Sequence, residues 1–311
     1  MKQTAYPFKR FTGSNIISVA AVSALYLLLS FILVGIKSDQ LLLVGLFCTL
    51  YFASAISRKF ILGFSVFIVY WILFDYMKAF PNYRFNDVHI LDLYNFEKKL
   101  FGFHFNNSIL TPNEFWLKNQ KPWLDALSGF FYLCWIPVPL LFAAFLFYKN
   151  RAEFLKFAFT FFWVNIVGFI VYYTFPAAPP WYMQEFGNVF HAQTPGNTAG
   201  LQRFDSMFGV DIFKSLYTKS SNIFAAMPSL HSAYPLIVLY YGIRNKMGMA
   251  NIVFAMITLG IWFAAVYTSH HYILDILAGI VCFFAGVISV NKIFKIGTID
   301  KLLQRYLRLI Q

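Results

Sequence analysis

The chain has 311 residues, of which 59% are hydrophobic and 12% charged, against roughly 25% charged in an average soluble domain, so water is excluded as its main solvent. The net charge of +12 lies in short clusters between apolar runs, which argues against a nucleic-acid surface and for a membrane protein. Cys48, Cys134 and Cys282 all fall inside apolar segments without metal-ligand spacing and read as packing residues.

A hydrocarbon core of about 30 Å takes about 20 helical residues to cross. Eight apolar runs approach that length, near residues 14–36, 40–57, 60–76, 126–148, 155–175, 224–243, 249–268 and 271–291, the second and third being short. The first follows Lys9 and Arg10 but is longer than the h-region of a signal peptide and is kept as a span. The expected fold is an all-α polytopic transmembrane helix bundle, one integral domain over residues 1–311. With the N-terminus cytoplasmic, the inner segments hold 15 cations against two acids and the outer segments 10 against 11. The positive-inside rule therefore places both termini inside.

Two long outer segments remain, 77–125 and 176–222, and both should cap the outer end of the bundle. In the first, Val88, Leu91, Leu93, Tyr94, Leu100 and Phe101 form an imperfect apolar stripe that suits a helix on the interface. Thr111-Pro112-Asn113-Glu114 carries Thr at an N-cap, Pro at the first helical position and Glu three residues after the cap, so a short helix should begin there. At 298–311, Ile299, Leu302, Leu303, Tyr306, Leu309 and Ile310 line one face opposite Lys301, Gln304, Arg305 and Arg308, the pattern of a cationic helix on the inner leaflet.

Three polar motifs fall at the outer ends of spans: Phe175-Pro-Ala-Ala-Pro-Pro-Trp-Tyr182, Met227-Pro-Ser-Leu-His231 and His270-His-Tyr-Ile-Leu-Asp275. His271 and Asp275, four apart at a helix start, share a face. A carboxylate accepting the ring N–H fixes the tautomer, frees the other nitrogen to attack and stabilises the imidazolium that forms. Taken alone, the pair is as readily a satisfied polar contact in a bundle. His231, expected at the same depth, supplies the acid that a leaving alkoxide needs. His270 lies about 100° around the helix from His271 and is expected to support it from behind, whereas His89, His104 and His191 read as surface residues. No metal site or cofactor is expected.

Pro-Ser-Leu-His and His-x-x-x-Asp resemble the type 2 phosphatidic acid phosphatase superfamily. The Pro-rich motif, the doubled histidine with Tyr272 and the stretch from Asp75 through Phe101 are similar to its inositol phosphorylceramide synthase branch. The resemblance covers most of residues 70–292. It implies a phosphohistidine on His271, proton transfer by His231, orientation by Asp275, and lipid partners: phosphatidylinositol as donor and a ceramide-like acceptor. The expected localisation is a bacterial cytoplasmic membrane, and the charge count puts the site on its outer face. Ser229, His270, Lys78, Arg84, Pro179, Pro180, Trp181 and Tyr182 are candidate substrate-binding residues, although the prolines equally suit a helix stop, with Trp181 and Tyr182 as interface anchors.

The chain departs from the superfamily pattern in lacking Lys-x6-Arg-Pro and in carrying Ala264 and Ala265 where Ser-Arg would fall. A monoester carries nearly two charges and a diester one, so fewer fixed cations suit a diester. Lys78, Arg84, Arg203, Lys214 and Lys219 are the candidate phosphate-holding cations. The alternatives are a phosphatase of the same superfamily acting on a lipid monoester or polyprenyl diphosphate, and a proton-coupled transporter, which predicts symmetric halves where the sequence has no repeat.

Overall fold

The computed structural model describes residues 11–192, 194–218 and 222–311. Lys2, Lys9 and Arg10 of the charge count, and the candidate Lys219, lie outside them. The described chain is nearly all helical, as expected for a polytopic helix bundle. Among the described residues, six stretches are long and apolar enough to cross a membrane, at residues 13–34, 55–79, 122–149, 151–174, 250–267 and 273–293.

Helices α1 (Gly13–Val34), α2 (Ser38–Ala53) and α3 (Ala55–Tyr76) pack as an antiparallel set. Ile17, Val22, Leu25 and Leu28 on α1 stay exposed, a surface suited to lipid rather than water. The core gathers around α8 (Arg151–Thr174), which packs against α3, α7 (Pro137–Lys149), α12 (Leu230–Arg244) and α14 (Ile273–Ile293). Phe154, Phe157 and Val164 of α8 are fully buried there. Small residues permit the close approaches: a Cβ on Gly286 of α14 would stand 2.3 Å from the Val164 side chain.

The expected fourth span is two helices, α6 (Pro122–Leu133) and α7. Pro137 lacks an N–H and cannot continue the helix behind it, so the chain turns over Cys134–Ile136 and restarts with Pro137 in the first turn. The expected sixth span, 224–243, begins only at Leu230. The residues ahead of it form turns and bends, and Ala225 pairs with Ala177 in a parallel bridge. At 1.5 Å per residue the 15 residues of α12 reach about 22 Å, less than the hydrocarbon thickness. The 16 residues of α2 are likewise short.

The long connection after α3 carries α4 (Leu91–Phe101), the hairpin β1 (Phe103–Phe105) and β2 (Ser108–Leu110), and α5 (Pro112–Lys118). The hairpin turns through Asn106 and Asn107, both at positive φ (46° and 61°), the backbone that a two-residue turn between twisted strands requires. Helix α5 starts at the Thr-Pro-Asn-Glu motif: Thr111 accepts from the Glu114 amide and Glu114 from the Thr111 amide. The connection after α8 carries α9 (Pro180–Phe186), α10 (Gln202–Phe208) and α11 (Ile212–Thr218).

Helix α13 (Ala250–Tyr267) packs on α12 and α6. The amphipathic α15 (Gly297–Ile310) packs on α3 and α8. Its Tyr306 hydroxyl donates to the Leu62 carbonyl at 2.6 Å and Ile310 is fully buried, while Leu302 and Leu309 remain exposed.

The eight-span topology expected from the sequence predicts opposite sidedness for the hairpin and the α7–α8 turn. Ser108→Cys should react with an impermeant maleimide on intact cells and Lys149→Cys only after permeabilisation. The reverse labelling would invert the orientation.

Candidate active site

The Pro-rich segment between α8 and α9 is a hub. Its prolines block helix propagation, and its freed backbone bonds to three other segments. The Pro176 carbonyl accepts from the His89 amide (2.8 Å), the Ala177 amide donates to Phe224 (2.8 Å), the Ala178 amide donates to His89 (3.0 Å) and the Trp181 amide donates to Ser269 (3.0 Å). Pro179 and Pro180 are buried at the start of α9. Trp181 and Tyr182 are buried with Phe224, and the Tyr182 hydroxyl donates to the Val189 carbonyl. These aromatic side chains are packed inside the cap rather than laid on an interface.

The Phe224 segment leads directly to Pro228, Ser229 and His231. The Ser229 amide donates to the Asp275 carbonyl at 2.8 Å, and a Cβ on Gly279 would stand 2.3 Å from the Ser229 oxygen. Glycine in α14 thus lets the Ser229 backbone lie against the helix, which brings His231 to His271. His231 Nδ1 is 3.3 Å from His271 Nε2 and 3.4 Å from the Tyr132 hydroxyl, with the Trp135 ring against it at 4.4 Å.

The turn between α13 and α14 carries the second motif. The amides of His270 and His271 both donate to the Ala265 carbonyl at 3.0 Å. Ala264 and Ala265 are fully buried, leaving no room for the arginine of the phosphatase pattern. Asn113 of α5 donates from one amide nitrogen to the carbonyls of Val266 and His271, each at 2.9 Å. At the start of α14, Asp275 accepts from the Tyr272 amide (2.8 Å), and Glu97 of α4 accepts from the amides of Ile273 (3.0 Å) and Leu274 (3.1 Å). His271 Nδ1 lies 3.4 Å from Asp275 Oδ2. That is pairing distance without hydrogen-bond alignment, looser than the direct ring N–H bond expected from the sequence.

His270 donates from Nε2 to the Thr198 carbonyl (2.9 Å) and is stacked between Tyr132 and Tyr217. It buttresses the turn and does not face the other two rings. Burial lowers His271, in the turn outside both helices, to about 4, so the ring is neutral near pH 7, as an attacking nitrogen must be.

The described candidate cations are engaged elsewhere or lie at the surface. Lys78 pairs with Asp75 (2.7 Å), Arg203 with Asp125 (2.6 Å) and Lys214 with Asp211 (3.3 Å), while Arg84 is exposed. The Tyr267 hydroxyl also donates to Asp125. His89 pairs with Asp92 and stacks on Phe175.

Sequence reasoning missed Tyr132, Trp135, Asn113 and Glu97. Asn113 was read only as part of a cap motif. Glu97 had a local signal, an acid four residues after the buried Leu93 and so on the packed face of α4. Gly279→Ala should separate Ser229 from α14. Overpacking of this kind costs roughly 1–3 kcal/mol, so a lowered thermal midpoint in detergent together with reduced turnover is expected. Wild-type values for both would show that the contact does not set the histidine spacing.

Residues 92–289 match the PAP2 superfamily. The phosphoinositol dihydroceramide synthase of Bacteroides thetaiotaomicron is 43% identical over 87% of this chain and 89% of its own length. The inositol phosphorylceramide synthase of Candida albicans is 31% identical over 47% of this chain and 33% of its own, and the catalytic subunit of the Saccharomyces cerevisiae enzyme is 31% identical over 38% and 29%. No solved structure matches. The matched region takes in every element that builds the histidine site, and the chain belongs to the PAP2 superfamily, in the branch that holds these synthases.

Proposed function

We propose that this enzyme is a lipid phosphotransferase that moves a phosphoinositol head group from phosphatidylinositol to the primary hydroxyl of a ceramide-like lipid, releasing diacylglycerol. The observation that carries the reading is the approach of His231 to His271 at 3.3 Å beside Asp275, in a chain whose relatives are named for this transfer. An enzyme of this superfamily uses the histidine pair for chemistry on a phosphate ester, and the transporter alternative gives way to it.

The reaction runs in two halves. Nε2 of His271 attacks phosphorus, the bond from phosphorus to the diacylglycerol oxygen breaks, and His231 protonates that oxygen. The inositol phosphate is then bonded to His271, and Asp275 stabilises the charge on Nδ1. His231, now neutral, takes the proton of the acceptor hydroxyl, whose oxygen attacks phosphorus and expels Nε2. Protons balance within His231 over the cycle. The two rings must part to admit phosphorus between them.

Ala264 and Ala265 favour a diester. The charge at phosphorus is single, and neutral donors suffice where a monoester requires cations. The positive-inside count supports a site at the outer face of a cytoplasmic-type membrane.

Purified enzyme given phosphatidylinositol and dihydroceramide should yield phosphoinositol dihydroceramide and diacylglycerol in equal amounts by lipid mass spectrometry. His271→Ala should abolish the products. Asp275→Asn should lower the rate substantially, up to the ~10⁴-fold measured for the aspartate of a serine-protease triad. Free inositol phosphate in place of the transfer product would make water the acceptor and the protein a hydrolase.

A further inference from the structure

We propose that Glu97 is a positioning residue for this reaction: by holding the amides of Ile273 and Leu274, it fixes the first turn of α14 and, with it, the separation of His271 from Asp275. The inference rests on the reading of His271 as nucleophile.

Glu97 is fully buried, which is costly for an acid unless its oxygens are used. Both are used: one accepts from Ile273 at 3.0 Å and the other from Leu274 at 3.1 Å, across 176 and 177 residues of chain. A helix N-terminus normally takes its cap from its own first residues. Here the local acid is Asp275, whose Oδ2 accepts from the Tyr272 amide while facing His271, and whose Oδ1 has no partner. Two open amides in the next positions would compete for that carboxylate and draw it away from the imidazole. Glu97 satisfies them from α4 and leaves Asp275 to His271. The positive end of the α14 dipole favours the arrangement.

The contact is sensitive to protonation. Burial raises Glu97 to about 7, with the nearby Asp275 adding to the rise and the two amide bonds opposing it. As a carboxylate it accepts both amides; once protonated, one oxygen becomes a donor facing a donor. Turnover should therefore fall as pH drops through about 7.

The surrounding titratable groups are these. Asp275 faces it from α14, beside Tyr272 at the cap. On its own helix, Tyr94 lies between Glu114 of α5 and Lys98, while Asp92 pairs with His89. On α9, Tyr182 is turned to the Val189 carbonyl and Glu185 to Asn197. His271, lowered to about 4, titrates well below this range.

The test is kcat and KM between pH 5 and 9 for wild type, Glu97→Gln and Glu97→Asp, with His271→Ala as control. Wild type should lose kcat below about pH 7, approaching tenfold per unit as for a single proton. Glu97→Gln should lower kcat at pH 8 by roughly 10- to 100-fold, the range for outer partners of a functional group. Its KM should be unchanged and its profile flat between pH 6 and 8. Glu97→Asp should keep the acid limb at reduced kcat. An unshifted limb in Glu97→Gln would assign it to another group and overturn the proposal. If Glu97→Gln does not fold, Glu97→Asp decides, and wild-type kcat in that variant overturns the proposal equally. Activity in His271→Ala would instead overturn the catalytic reading.

Discussion

The first three amides at the start of α14, those of Tyr272, Ile273 and Leu274, each meet a carboxylate oxygen. Unpaired, each would cost roughly 1–3 kcal/mol. Meeting that demand ties together parts of the chain far apart in sequence: α4 delivers Glu97, α5 delivers Asn113 to the carbonyls on the other side of the turn, and the Pro-rich hub bonds to Ser269. The histidine turn is thus held from three sides by backbone bonds. A nucleophile must meet phosphorus in one orientation, and fixing its backbone is how a small set of side chains achieves that.

The second constraint is charge. Membrane-embedded helices admit few ions, and the candidate site reflects that: two imidazole rings, the Tyr132 hydroxyl and the Trp135 indole gather there. The described candidate cations pair with their own acids or lie at the surface. A site of this kind tolerates one negative charge better than two, which is why buried alanines where the phosphatases carry Ser-Arg fit head-group transfer between lipids.

Much of the fold was legible in the sequence, because hydrocarbon thickness writes itself into run length, and the histidines that come together carry a recognisable spacing at helix starts. The length of the apolar runs marked the spanning helices, and Pro-Ser-Leu-His with His-x-x-x-Asp marked the histidine pair. The turn at Cys134–Ile136 was hidden because all three residues suit an apolar run, and only Pro137 hinted at it. The late start of α12 depended on pairing between Ala177 and Ala225, which no local pattern encodes. Glu97 and Asn113 act across about 150 residues or more, so their side chains looked like parts of a surface helix and a cap. The Pro-rich motif was open to two readings, and the packed geometry gives its residues a structural task whether or not they also touch lipid.

The most direct measurement is the identity of the modified residue. Enzyme mixed with phosphatidylinositol and no acceptor, quenched in alkali to preserve a phosphoramidate and digested, should yield a peptide heavier by one inositol phosphate, with the addition on His271. Product formation on adding ceramide while His271 stays unmodified throughout, or an addition on His231 instead, would contradict the assignment of His271 as nucleophile.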